Sequence, residues 1–175
     1  MTLTEAIILG IVQGLTERLF ESVETTACML FITGILLFLS DRVKTNKRRK
    51  EEMNLKDGIV LGLAQAVALI PGISRSGSTI AFGIFRGLER ETSARFSFLL
   101  SIPAIGGAVI LKSADLLRLA AGDLTVLGAG FIAAAVTGFL SLKLLFAIIN
   151  KTGLAPFAYY CWFAGAVTLI IRGME

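Results

Sequence analysis

The chain has 175 residues, of which 55% are hydrophobic and only 17% are charged, and its net charge is +4. Its mean hydropathy of +0.79 predicts a membrane protein with room for about four to six spanning segments and no separate soluble domain. No histidine is present, which excludes a Ser-His-Asp triad, a histidine-ligated zinc site and a phosphohistidine intermediate.

The first apolar run, residues 6–15, is too short to cross a bilayer and predicts a re-entrant half-helix. No basic stretch precedes it and no cleavage site stands out, so a cleavable signal peptide is not expected. Glu17 closes the run four residues after Gln13, which places both side chains on one helix face. At membrane depth Glu17 would hold a divalent cation or orient a water, whereas at the interface it would pair with Arg18. The spacing leaves both interpretations open.

Four longer apolar segments, with their weakly polar flanks, predict spanning helices over residues 27–39, 96–111, 124–149 and 157–171. Pro103 is expected to kink or break the second of these. Another short run, residues 58–70, predicts a second re-entrant half-helix. The predicted fold class is therefore all-α, a polytopic integral membrane protein.

A basic stretch, residues 42–50, follows the first of these spans and holds six cations in nine residues. The positive-inside rule places such a short loop in the cytoplasm. A nucleic-acid patch or a nuclear signal is the alternative for a run of this kind. Its position between membrane segments argues against both, so we expect no nucleic-acid partner.

The two short apolar runs resemble each other, which indicates an internal repeat. Residues 8–13 align with residues 60–65, and the alignment superposes Gly10 on Gly62 and Gln13 on Gln65. Chance similarity is the alternative. Paired, interrupted hydrophobic segments in two halves are typical of membrane proteins whose binding site lies between inverted repeats.

The strongest functional signal is a polar stretch between two apolar runs that combines four hydroxyls, an arginine and two glycines. Arginine matches phosphate oxygens two at a time, hydroxyls add donors, and glycine lets backbone N–H groups approach an anion. The stretch is Pro71-Gly72-Ile73-Ser74-Arg75-Ser76-Gly77-Ser78-Thr79. We expect it to form a loop that leads into a helix from residue 80.

Arg86 is a second candidate for attracting an anionic head group. Residues 89–95 predict a solvated turn that starts the next helix, with a Glu91–Arg95 pair.

Three segments, residues 10–17, 71–79 and 96–103, together resemble the undecaprenyl-diphosphate phosphatase family, the bacterial bacitracin-resistance proteins. The resemblance implies an integral protein of the bacterial inner membrane with re-entrant helix pairs in inverted repeat. It also implies hydrolysis of undecaprenyl diphosphate to undecaprenyl phosphate and inorganic phosphate. That reaction returns the lipid carrier to peptidoglycan synthesis and gives bacitracin resistance.

The resemblance also implies a set of site residues. Gln13 and Glu17 match an acidic motif of the family, and the polar stretch matches its phosphate-binding loop. The implied cofactor is a divalent cation, Mg²⁺ or Ca²⁺, held by Glu17. The expected partners are a polyprenyl diphosphate lipid and the membrane, and the assembly considered is a homodimer. The predicted catalytic residues are Glu17, Ser74, Arg75, Ser76 and Thr79, and the predicted substrate-binding residues are Gln13, Gly72, Gly77 and Ser78.

The sequence departs from the family directly after Glu17. The family continues there into a Phe-Leu-Pro segment and a serine-rich loop that ends in Gly-His, whereas here Arg18-Leu19-Phe20-Glu21-Ser22 follows. We therefore expect an internal deletion near Glu17 and Arg18. One membrane domain, residues 1–175, would comprise a truncated first repeat (1–40), a basic cytoplasmic loop (41–57) and a second repeat (58–175). Three functions follow: a phosphatase whose activity the shortening calls into question, a lipid-phosphate transporter or flippase, or an inactive diphosphate-binding remnant.

Overall fold

The computed structural model describes residues 22–43, 48–116 and 121–174, and these residues form six α-helices and one short 3₁₀ turn without a sheet. The predicted all-α class is confirmed. The helices are α1 (Val23–Arg42), α2 (Leu55–Val67), α3 (Arg75–Phe85), α4 (Arg90–Leu116), α5 (Ala121–Thr152) and α6 (Ala155–Gly173), and the 3₁₀ turn is Lys50–Glu52.

Helices α1, α4, α5 and α6 are long and apolar enough to cross a membrane, so each of the four predicted spans is confirmed. Helices α2 and α3 have 13 and 11 residues. At 1.5 Å per residue they are about 20 and 16 Å long, less than a hydrocarbon core of about 30 Å. They form a hairpin whose tip would lie inside the membrane. The first half-helix, residues 6–15, lies outside the described residues, and the inverted repeat stays a prediction.

Pro103 does not break its helix, which overturns one of the two outcomes expected from the sequence; the other, a kink, stays a prediction. Helix α4 continues through it from Arg90 to Leu116. Proline removes one backbone hydrogen bond from a helix, but ending the helix in an apolar environment would leave several N–H and C=O groups without partners. The continuous helix is therefore the better solution inside a membrane.

Ion pairs and hydrogen bonds gather the helix ends at one charged face. Arg90, at the start of α4, pairs with Asp41, near the end of α1, at 2.7 Å. The same carboxylate accepts a hydrogen bond from the backbone N–H of Leu154, just before α6, at 3.1 Å. The predicted Glu91–Arg95 pair is confirmed at 2.6 Å on the exposed first turns of α4. The end of α1 and the starts of α4 and α6 therefore meet on one side of the protein.

The base of the α2–α3 hairpin is closed at the same face by Asp57. Its side chain is fully buried and accepts hydrogen bonds from Arg48 at 2.7 Å and from Arg86 Nε at 2.9 Å. The backbone N–H of Asn54 donates a third bond at 3.0 Å. Arg86 is thus committed to Asp57 rather than placed to attract an anionic head group, which corrects the expectation from its position after an apolar run.

Burial by itself would raise the pKa of Asp57, but the hydrogen bonds from Arg48, Asn54 and Arg86 outweigh it and lower the pKa to about 2 from 3.8. A lowered pKa contributes stability that is present above the unfolded-state value and is lost as the pH falls toward the folded-state value. The contribution of Asp57 is therefore complete above about pH 4 and lost between about pH 4 and pH 2.

We predict that Asp57→Asn lowers the thermal midpoint in detergent by about 2–10 °C at neutral pH, because it removes a charge that three donors share. The gap between the wild-type and variant midpoints should shrink as the pH falls from 4 toward 2. Glu91→Gln is the matched control, since its exposed pair contributes little at any pH. A gap of constant size across the pH range would contradict this account.

Helices α1 and α6 approach closely at Gly34. A Cβ atom on Gly34 would overlap the Trp162 ring, whose Nε1 donates a hydrogen bond to the backbone oxygen of Phe31 at 3.2 Å. Trp162 of α6 therefore packs closely against α1.

We predict that Gly34→Ala destabilises the chain by about 1–3 kcal/mol, because the added methyl group displaces the indole ring. Trp162 is the single tryptophan of the chain, so its fluorescence emission reports this displacement directly. Gly138→Ala is the control, since a Cβ atom there meets nothing within 4 Å. An unchanged spectrum in Gly34→Ala would contradict the packing described.

Candidate phosphate-binding site

The tip of the hairpin differs from the predicted loop because α3 begins at Arg75, not at residue 80. Ser74 is the N-cap: its backbone is extended and its hydroxyl oxygen accepts a hydrogen bond from the N–H of Gly77 at 3.1 Å. Serine is a favoured N-cap since it satisfies an amide that has no partner within the helix. Ser76, Ser78 and Thr79 therefore lie in the first turns of a helix.

Thr33 of α1 holds this tip in place. Its buried hydroxyl donates to the backbone oxygen of Gly72 at 3.1 Å and accepts from the N–H of Ser74 at 3.2 Å. Gly72 has a φ of 88°, and a Cβ atom there would overlap the Thr26 backbone. Gly72 thus provides the turn that brings the tip against α1, and substrate binding by Gly72 stays a prediction.

Arg75 faces a pocket of about 370 Å³ between α3 and α4. The side chain is half-buried, and it forms no ion pair with any residue that the structure describes. Arg48, Arg86, Arg90 and Arg95, in contrast, each pair with a carboxylate. The pocket is lined by Arg75, Ser76, Ser97, Phe98, Ser101 and Ile105.

The pocket lies away from the charged face, along the apolar part of α4. Arg90 starts α4 at the charged face, and Ser101 lies about 16 Å further along that helix at 1.5 Å per residue. This is roughly half of a hydrocarbon core about 30 Å thick. The positive end of the α3 dipole adds to the Arg75 charge. A guanidinium that has hydroxyls around it and no ion-pair partner among the described residues favours an anion.

Thr79 points its hydroxyl at the protein instead of the pocket. The residue is 1% exposed, and its Oγ1 lies 3.0 Å from the backbone oxygen of Arg75 and 3.1 Å from that of Ser76. It also shares a hydrogen bond with the hydroxyl of Ser97. These contacts hold the first turn of α3, and a direct catalytic contribution of Thr79 stays a prediction.

The remaining residues of the predicted loop face other cavities. Ser74 and Gly77 line a second pocket of about 270 Å³ together with Ser76, which also lines the Arg75 pocket. Ser78 is buried, and its Oγ has no hydrogen-bond partner in the part of the chain that the structure describes. It lines a third, apolar cavity of about 400 Å³. The structure therefore brings Arg75 and Ser76 together and places Ser78 elsewhere.

A cation site is not built from the described residues alone. No group of three carboxylate or thiol side chains converges anywhere in residues 22–43, 48–116 and 121–174. The Arg75 pocket offers hydroxyls and a guanidinium, which suit phosphate oxygens rather than Mg²⁺ or Ca²⁺. Glu17, the predicted ligand, and Gln13 lie outside the described residues.

Comparison with known proteins identifies the family. A family described as bacitracin resistance protein BacA matches residues 17–167. The chain belongs to this family. It is 41% identical over 170 residues to an undecaprenyl-diphosphatase of Halothermothrix orenii. This match covers 95% of this chain and 66% of the relative. It is 44% identical over 160 residues to an undecaprenyl-diphosphatase of Methanothermobacter thermautotrophicus, which covers 87% of this chain and 86% of the relative.

The lengths of these relatives vary. The chain spans 66% of the Halothermothrix protein and 62% of an undecaprenyl-diphosphatase of Methanobrevibacter smithii, with which it shares 42% identity over 94% of its own residues. The Methanothermobacter protein is close to this chain in length, because the match covers nearly the same share of both. This chain therefore matches relatives that are clearly longer and one of about its own length. The internal deletion stays a prediction.

Three residues at the candidate site were missed as site residues in the sequence: Thr33, Ser97 and Ser101. Ser97 and Ser101 lie one helical turn apart, together with Ser93, so a four-residue spacing of serines in an apolar segment marked the face of α4 that meets α3. Thr33 is a lone buried hydroxyl in an apolar span. Its partners at residues 72–74 are about forty positions away, so no helical or strand periodicity in the sequence indicates the contact.

We predict that Thr33→Val, which keeps the side-chain shape, destabilises the chain by about 1–3 kcal/mol because two backbone groups of the tip lose their partner. Thermal unfolding in detergent measures this. Thr137→Val is the matched control, because Thr137 is exposed and its hydroxyl bonds only to its own helix, at Ala133 and Ala134. Equal midpoints for the two variants would argue against the bridge.

Proposed function

We propose that the chain hydrolyses undecaprenyl diphosphate to undecaprenyl phosphate and inorganic phosphate. Water is consumed, the bridging P–O bond of the anhydride breaks, and the lipid keeps one phosphate. In the cell this would take place at the inner membrane of a bacterium, return the carrier to peptidoglycan synthesis and give bacitracin resistance. Membership of the BacA family and the names of the relatives support this assignment.

The observation that supports it best is the state of Arg75. A half-buried guanidinium that has no ion-pair partner among the described residues and shares its pocket with three serines is suited to binding a phosphate group. A lipid diphosphate brings that anion from within the bilayer. The hydroxyl-lined pocket beside Arg75 would receive its phosphate oxygens, and the surrounding hydrocarbon would take its isoprenoid chain.

The residue roles in this proposal follow from what each side chain contacts. Arg75 would bind the diphosphate oxygens and stabilise the charge that develops when the anhydride breaks. Ser76 is the better-placed hydroxyl, since it lines the pockets on both sides of α3, whereas the Ser74 oxygen is occupied by the Gly77 amide. The attacking oxygen would come from water or from Ser76. A divalent cation bound with Glu17 is part of the proposal.

The test is phosphate release from a polyprenyl diphosphate by purified protein in detergent, with Mg²⁺ or with a chelator. We expect Arg75→Ala to reduce kcat/KM by on the order of 10²–10³-fold, because it removes the main charge that stabilises the transition state. Arg75→Lys should recover only part of the loss, since an ammonium lacks the planar pair of donors.

Arg95→Ala is the matched control, because it removes the same side chain from an exposed i,i+4 pair outside the pocket. Its activity should stay near that of the wild type. Phosphate release that is equal in wild type and Arg75→Ala would refute the proposed site. Protein that binds the lipid diphosphate without releasing phosphate would instead support a remnant or a transporter.

A further inference from the structure

A pair of buried hydroxyls lies directly behind Arg75, where α3 meets α4. Thr79 of α3 and Ser97 of α4 are 1% and 4% exposed, and their hydroxyl groups bond each other. Thr79 Oγ1 is also within hydrogen-bond distance of the backbone oxygens of Arg75 and Ser76. Ser97 Oγ lies 3.5 Å from the Ser76 oxygen. Both hydroxyls thus converge on the first turn of α3.

This contact joins the two walls of the pocket. Arg75 and Ser76 form the α3 wall, and Ser97 and Ser101 belong to the α4 wall. Ser101 differs from Ser97, because its hydroxyl donates to the backbone oxygen of Phe98 within its own helix, at 2.6 Å. Ser97 is therefore the residue through which α4 holds the backbone turn that carries Arg75.

We propose that Ser97 is a positioning residue of the phosphate site. Through Thr79 it fixes the first turn of α3 against α4, and this sets where the Arg75 guanidinium lies in the pocket. No water is at hand in hydrocarbon to replace a lost partner, so the pair persists once formed. The inference rests on the proposed function, since Arg75 is the group that would bind the diphosphate.

The first test needs no catalysis. Hydrogen–deuterium exchange in detergent, followed in peptides that cover residues 74–80, should become about three- to tenfold faster in Ser97→Ala than in wild type. Ser93→Ala is the matched control. Ser93 lies one turn earlier on α4, is buried against Gly83, and its Oγ has no hydrogen-bond partner among the described residues. Exchange in Ser97→Ala no faster than in Ser93→Ala would overturn the proposal.

The second test measures phosphate release from the polyprenyl diphosphate. Ser97→Ala should lose about tenfold in kcat/KM because Arg75 is no longer held in place, and Ser93→Ala should stay within about twofold of wild type. Ser97→Thr should restore most of the activity, since it keeps the hydroxyl and the pocket beside it has room for a methyl group. A wild-type rate in Ser97→Ala would overturn the proposal.

The two tests separate this inference from the proposed function. If release by the wild type does not depend on Arg75, the proposed function fails, and the exchange measurement still decides whether Ser97 holds the turn. If release depends on Arg75 but neither exchange nor activity responds to Ser97→Ala, the phosphatase stands and the positioning role is refuted.

Discussion

A backbone turn inside a membrane has no water to hydrogen-bond, so its polar groups must find partners within the protein. The α2–α3 hairpin places such a turn at residues 68–74, and the contacts at its tip follow from this constraint. Thr33 bonds both Gly72 and Ser74 from the neighbouring span, and Ser74 caps α3. Gly72 lets the turn approach α1 closely enough for these bonds to form.

The hairpin is fixed at both of its ends by different interactions. At the charged face Asp57 joins the start of α2 to the end of α3 through Arg86, and Arg48 ties the preceding loop to the same carboxylate. At the tip the bonds are between neutral hydroxyl and backbone groups. Asp57 keeps its charge although its side chain is buried, because hydrogen bonds from Arg48, Arg86 and the backbone N–H of Asn54 offset the loss of water.

Arg75 forms no ion pair with any residue that the structure describes, in contrast to Arg48, Arg86, Arg90 and Arg95. The first turn of α3 is held by Thr79 and Ser97 behind it, so the guanidinium is presented to the pocket rather than folded onto a carboxylate of the described residues. A site organised before its ligand arrives spends less binding energy on ordering side chains. Ser97 and Ser101, four residues apart on α4, line the opposite wall of the pocket.

The sequence by itself determined the membrane class, the four spans, the polar stretch at 71–79 and membership of the BacA family, because hydrophobic length and motif chemistry are local properties. Only the tertiary structure decided where α3 begins, that α4 continues through Pro103, and that Arg86 pairs with Asp57. It also decided that Thr33 contacts residues 72–74 and that Ser97 contacts Thr79. Each of these depends on which groups from distant segments meet, and in a medium without water a polar group's partner determines its role.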